Sequence, residues 1–228
     1  MLRARQFGLL LALGLVGFAS PAARADEMRV ALKDVPDAVR EAAQRAAPDT
    51  RWVKATKETD DDETSYVVKG ASAKNLKVSV SINGDGSVEE VESALSLSEL
   101  PKDVAHIVKS LPDYLWDSGN QTVHDNETSY ELYGSDLEDR EVTLSIDAEG
   151  KAMLHTTLKI EEVPADVSAA LKARLPNFAP ESVVSIADKG VVVRYEFEGK
   201  GLDDESKVTV SADGKTIKVG DDDDDANV

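Results

Sequence analysis

Lys77-Val78-Ser79-Val80-Ser81-Ile82-Asn83-Gly84-Asp85-Gly86 alternates apolar and polar residues and then runs into an acidic-glycine pair. Period-two alternation places Val78, Val80 and Ile82 on one face of an extended strand and Ser79 and Ser81 on the other. Asp-Gly is the chemistry of a tight hairpin, because its glycine adopts positive φ freely. The pattern returns with Val142, Leu144 and Ile146 before Glu149-Gly150, and with Val208, Val210 and Ala212 before Asp213-Gly214.

Working outward, each of these strands belongs to a longer recurring series. Pro36, Pro101 and Pro164 open the copies, 65 and 63 residues apart, and Tyr66, Tyr130 and Tyr195 follow at spacings of 64 and 65. Gly70, Gly134 and Gly199 stand four residues after each Tyr. A fixed period of this size marks one supersecondary unit used repeatedly. Between Pro36 and Pro48, Pro101 and Pro112, and Pro164 and Pro176, apolar residues step at helical spacing: Val39, Ala42, Ala43 and Ala46; Val104, Ile107, Val108 and Leu111; Val167, Ala170, Leu171 and Leu175. Pro suits the first helical position and also ends a helix. Four strand-like segments follow each helix, joined by connections short enough for an antiparallel meander. The expected fold is α+β: three tandem units at 26–96, 97–160 and 161–220, each one helix packed on a four-stranded antiparallel sheet.

Residues 1–25 have the form of an export signal. Arg3 and Arg5 precede a short apolar run from Phe7 to Phe18, and Ala23-Arg24-Ala25 is a small-x-small cleavage site. The expected location is therefore periplasmic or secreted, with no membrane insertion after cleavage. Cysteine is absent, which excludes thiolate metal sites, Cys nucleophiles and disulfide staples. Removal of Arg3, Arg5 and Arg24 takes the formal charge from −18 to −21, a surface that repels nucleic acid and anionic membranes. Asp221–Asp225, within the tail 221–228, is a run of like charge that cannot pack, and disorder is expected there.

The series of Val35-Pro36, Val39, Pro48, Tyr66, Val78-Ser79-Val80-Ser81-Ile82 and Asp85-Gly86, repeated twice more, resembles the PepSY-like repeat family, also called beta-lactamase-inhibitor-like. The resemblance covers 28–220. It implies a helix over a four-stranded sheet, like that of beta-lactamase inhibitory protein, and exported modules that bind or restrain other exported proteins. This chain departs from that inhibitor in having three copies and no disulfides, and the inhibitor's target-contacting residues have no match here. Beta-lactamase as a target is not implied.

Three aromatic residues are the candidate protein-binding anchors. Trp52 and Trp116 hold the same place in their copies, fourteen residues before the Tyr, and suit either a core or an interface. Tyr133 follows Leu132 and so points to the polar side of its strand, among Ser79, Ser81, Thr143, Ser145, Thr209 and Ser211. Asp60-Asp61-Asp62-Glu63 and Asp125-Asn126-Glu127 offer oxygen ligands for Ca²⁺ but lack the EF-hand pattern, so turn solvation is favoured. His124 and His155 would approach across the sheet if the first and fourth strands of a copy were neighbours, but no zinc-type spacing supports a metal site. No cofactor and no catalytic set is expected. The expected function is a non-enzymatic binding module, an inhibitor of another exported protein or enzyme being one form of it, acting through the open sheet faces. The alternative is an acidic cation-binding (Ca²⁺) or envelope structural protein.

Overall fold

The computed structural model describes residues 28–60, 63–202 and 207–220. The expected leader at 1–25, the acidic tail at 221–228 and Asp61-Asp62 of the first acidic hairpin lie outside the described residues.

The chain opens with β1 (Met28–Val30) and α1 (Asp37–Ala46), followed by β2 (Thr50–Asp60), β3 (Glu63–Ser72), β4 (Lys77–Asn83) and β5 (Val88–Ala94). Then come α2 (Lys102–Lys109), β6 (Tyr114–His124), β7 (Glu127–Asp136), β8 (Glu141–Ile146) and β9 (Ala152–Leu158). The last stretch is α3 (Ala165–Arg174), β10 (Ala179–Asp188), β11 (Val191–Lys200), β12 (Lys207–Ser211) and β13 (Ile217–Val219). A single 3-10 turn precedes each helix, at Leu32–Asp34, Leu97–Glu99 and Ile160–Glu162.

Each helix begins at its proline. Pro36, Pro101 and Pro164 have φ of −52°, −51° and −52°, and stand immediately before α1, α2 and α3. Their carbonyls accept the first helical bonds, from the amides of Arg40, Ala105 and Ser168 at 3.0, 2.8 and 3.0 Å. The prolines are thus caps, one position earlier than the first helical residue, with an extended ψ that turns the chain into the helix. The apolar stripes face the sheet: Val39, Ala42 and Ala43 in α1, Val104 in α2, and Val167 and Leu171 in α3 are buried.

Among the described residues the thirteen strands form one sheet in chain order, β1 to β13, with every neighbouring pair antiparallel. This overturns the expectation of three helix-plus-four-strand units. β5 pairs with β6 from Glu90↔His124 to Ala94↔Asn120, and β9 pairs with β10 from Leu158↔Val183 to Met153↔Asp188. The physical reason is the strand edge. A four-stranded sheet ends in two rows of unpaired N–H and C=O groups, and joining the copies edge to edge satisfies the inner rows. The molecule is mostly sheet, with three short helices on one face.

The core crosses the joins as well. Val78, Val80, Ile82, Tyr66 and Val68 pack under α1; Leu132, Val142, Leu144 and Ile146 pack with Val104 of α2; Val183, Tyr195, Phe197, Val208 and Val210 pack under α3. The middle cluster also takes in Ala187 of β10 and Leu154 of β9, and Val192 of β11 packs against both the second and third clusters.

A bulge interrupts each long hairpin near its helix: between Trp52 and Lys54, between Trp116 and Ser118, and between Pro180 and Ser182. Trp52 faces Gly70, Trp116 faces Gly134 and Pro180 faces Gly199. This explains why a glycine recurs four residues after each Tyr. A Cβ on Gly134 would stand 2.0 Å from the Leu115 carbonyl oxygen, so the bulged backbone occupies the space of a side chain.

Candidate functional site on the helix-free face

Strand alternation decides which residues lie opposite the helices. Following the register from β6 to β12, one row across the bare face reads Ser118, Tyr133, Thr143, His155, Ile186, Arg194 and Ser211. A second row reads Thr157, Val184, Glu196, Thr209 and Lys218. Several of these side chains are buried although no helix covers them. Ile186 is fully buried, and Thr143, His155 and Thr209 are 9%, 8% and 7% exposed. Neighbouring strands of a twisted sheet cover part of one another's side chains. A groove of about 550 Å³ lies on this face, with Tyr133, Thr143 and His155 among its lining and Asp117, Asp139 and Glu141 beside them.

Two polar arrangements flank the groove. On the β5–β7 side, the Tyr133 hydroxyl donates to Glu131 Oε2 at 2.5 Å and the Asn120 amide donates to Glu92 Oε1 at 2.8 Å. Burial first, and then the hydrogen bond and charge of Glu131, raise the Tyr133 phenol well above its ordinary pKa, so Tyr133 is a neutral donor with a fixed ring. On the β11–β12 side, Arg194 Nε donates to Glu196 Oε1 at 3.1 Å, and Lys207 Nζ lies 3.6 Å from Glu196 Oε2. Between them Ser145 Oγ and His155 Nε2 are 3.1 Å apart. Burial pushes the His155 imidazole below its usual pKa, Glu196 opposes the shift, and Arg194 and Lys207 add to it.

The three candidate anchors do not share a face. Tyr133 lies in the groove on the helix-free side. Trp52 and Trp116 lie on the helix side and pack against the first and second apolar clusters. The Trp116 ring stacks on Tyr114, with centroids 5.9 Å apart and planes inclined at 29°. Both indole N–H groups are buried without a hydrogen-bond partner among the described residues. The polar ladder of Ser79, Ser81, Thr143, Ser145, Thr209 and Ser211 occupies the helix-free face throughout.

The condition for an approach of His124 and His155, that the first and fourth strands of a copy be neighbours, is not met. β6 and β9 are separated by β7 and β8, roughly 14 Å across three strand spacings. His124 pairs instead with Glu90 and Glu127 along the ladder and lies 3.5 Å from its neighbour Asp125. Among the described residues no group of three His, Asp or Glu side chains is placed to hold a metal ion, and no helix is long and apolar enough to cross a membrane.

Sequence reasoning missed Thr143 and His155 as neighbours of Tyr133. The alternation of β8 already put Thr143 on the outward side. The place of His155 depends on β9 lying beside β8 and β10, which local pattern does not reveal.

No family model matches the chain, and no curated protein matches it. Among solved structures, a BLIP-like protein from Bacteroides fragilis NCTC 9343 is similar over 51% of this chain and 82% of its own, at 17% identity and a TM-score of 0.39. A periplasmic protein of the DUF2874 family from Bacteroides vulgatus ATCC 8482, so described without experimental assignment, is similar over 56% of this chain and 94% of its own, at 17% identity and a TM-score of 0.28.

Proposed function

We propose that this chain is an exported, non-enzymatic binding module that captures another exported protein on the helix-free face of its sheet. The observation that carries the proposal is the groove on a face that no helix covers among the described residues, floored by buried Thr143 and His155 and walled by Tyr133, whose hydroxyl is held by Glu131. Buried polar side chains on an otherwise open sheet face suit a wet, shape-complementary contact. Tyr133 supplies the aromatic surface that interface centres favour. Export rests on the signal-like residues 1–25, and the PepSY-like stretches at 26–96, 97–160 and 161–220 are proposed as repeats of sequence that share one sheet. The tryptophans act from the other side, holding the bulged strands against the core. Inhibition of the captured protein is the form of action in which the occupant's own site is covered.

The test is affinity capture of exported proteins from the native host on immobilised 26–228, read by mass spectrometry, with two variants run beside it. Thr143→Arg fills the groove, and Glu41→Arg changes an exposed helix position. A protein retained by the unaltered chain and by Glu41→Arg, but lost on a folded Thr143→Arg, is the expected result. Equal retention on all three would place binding elsewhere and overturn the proposal.

A further inference from the structure

The groove offers negative charge without a cation: its lining carries three carboxylates, and the hydroxyls of Ser118, Ser135, Thr143 and Thr157 can each donate or accept. Asp117 sits at the β6 bulge, and Asp139 and Glu141 flank the β7–β8 turn. None of these three carboxylates is engaged by a cation or donor among the described residues, and no lysine or arginine lines the groove. At the floor, Thr143 is nine-tenths buried, and among the described residues its hydroxyl makes no hydrogen bond. Ser145 Oγ lies 3.1 Å from His155 Nε2 and 3.4 Å from the Met153 carbonyl oxygen, and its one hydroxyl proton can go to either. The Tyr133 ring forms one wall, its hydroxyl already spent on Glu131.

Resting on the sheet-face binding argued above, we propose that this groove receives a lysine or arginine side chain projecting from a loop of the partner protein. Ammonium and guanidinium groups are donors only. They match the three unpaired carboxylates and the Thr143 hydroxyl oxygen, and the Tyr133 ring adds a cation–π contact. An acidic side chain would meet three carboxylates and no cation. A neutral apolar loop would bury the Thr143 hydroxyl unsatisfied.

The experiment titrates ¹⁵N-labelled protein with blocked pentapeptides carrying a single lysine, arginine or glutamate between glycines. The expected result is a saturable movement of the Ser118, Thr143 and His155 amide signals with the lysine or arginine peptide and none with the glutamate peptide. The double variant Asp139→Asn with Glu141→Gln should weaken that binding about fivefold, as the loss of two partly exposed charge contacts implies. Asn suits position 139, where φ is +62°. A remote pair, Glu41→Gln with Glu89→Gln, should leave it unchanged. No movement at these amides, equal movement with the glutamate peptide, or equal weakening by the remote pair would overturn the proposal, the last by reducing it to general attraction to an acidic chain. A captured partner that is lost on Thr143→Arg yet held undiminished by the groove double variant would keep sheet-face binding and remove the cationic occupant.

Discussion

His155 shows how one residue couples the groove to stability. Burial holds its imidazole below the ordinary value of 6.5, so the folded chain keeps it neutral at a pH where the unfolded chain takes up a proton. The unfolded state then binds more protons, and by linkage stability rises with pH across that interval. The contribution is complete above the unfolded value and is lost as pH falls from 6.5 through the folded value. Glu90, raised by burial and by Glu92, acts with the opposite sign, stabilising the fold as pH falls through its raised value, but it is common to both chains in a comparison. The unaltered protein should therefore lose more melting temperature between pH 7 and pH 5 than His155→Gln, measured by thermal denaturation in matched buffers. Parallel profiles would mean that His155 protonates freely in the fold. Tyr133 and Thr143 were legible as outward residues from the alternation around Leu132 and Leu144. The buried state of Thr143 was not, because it comes from the neighbouring strands, with Tyr133 and His155 on either side, and not from the residue's own pattern.

At the scale of elements, the recurring glycine and the recurring tryptophan are two sides of one device. The bulge after Trp116 brings the Leu115 carbonyl to where a side chain on the partner strand would stand, and only glycine fits at position 134. Gly134→Ala should cost about 3 kcal/mol, at the upper end of overpacking effects, as a fall in the denaturation midpoint. Gly150→Ala is the contrast. Its φ is +80° and no atom lies within 4 Å of an added Cβ, so the cost reduces to backbone strain of about 1 kcal/mol. Equal losses at the two positions would remove the close-approach explanation. The strands and turns themselves were readable, because period-two runs such as Val78-Ser79-Val80-Ser81-Ile82 and their acidic-glycine turns are local signals. β1, with three residues, is too short to show a period. The pairings β5–β6 and β9–β10 were not readable either. They are made by backbone groups at strand edges, and residues such as Glu90, Glu92 and Ala94 carry no mark of which strand lies beside them.

At the scale of the molecule, edge-to-edge joining turns three similar stretches of sequence into one surface. Among the described residues the helices all lie on one side, the apolar clusters run together through Ala187 and Val192, and the opposite side carries the groove. The groove is lined by the second of these stretches, from β6 to β9, and is completed by Val184 of β10 across the join. The central claim is that this face, and not the helix side, meets the partner. The chain has no cysteine, which makes single-cysteine labelling unambiguous. The decisive measurement is the rate of thiol modification at Ser118→Cys, Ser135→Cys and Ser145→Cys on the groove side, and at Glu41→Cys and Lys109→Cys on the helices, with and without the captured protein. Protection of the three groove-side positions with unchanged helix positions is the predicted result; protection of the helix positions with free labelling in the groove would contradict it.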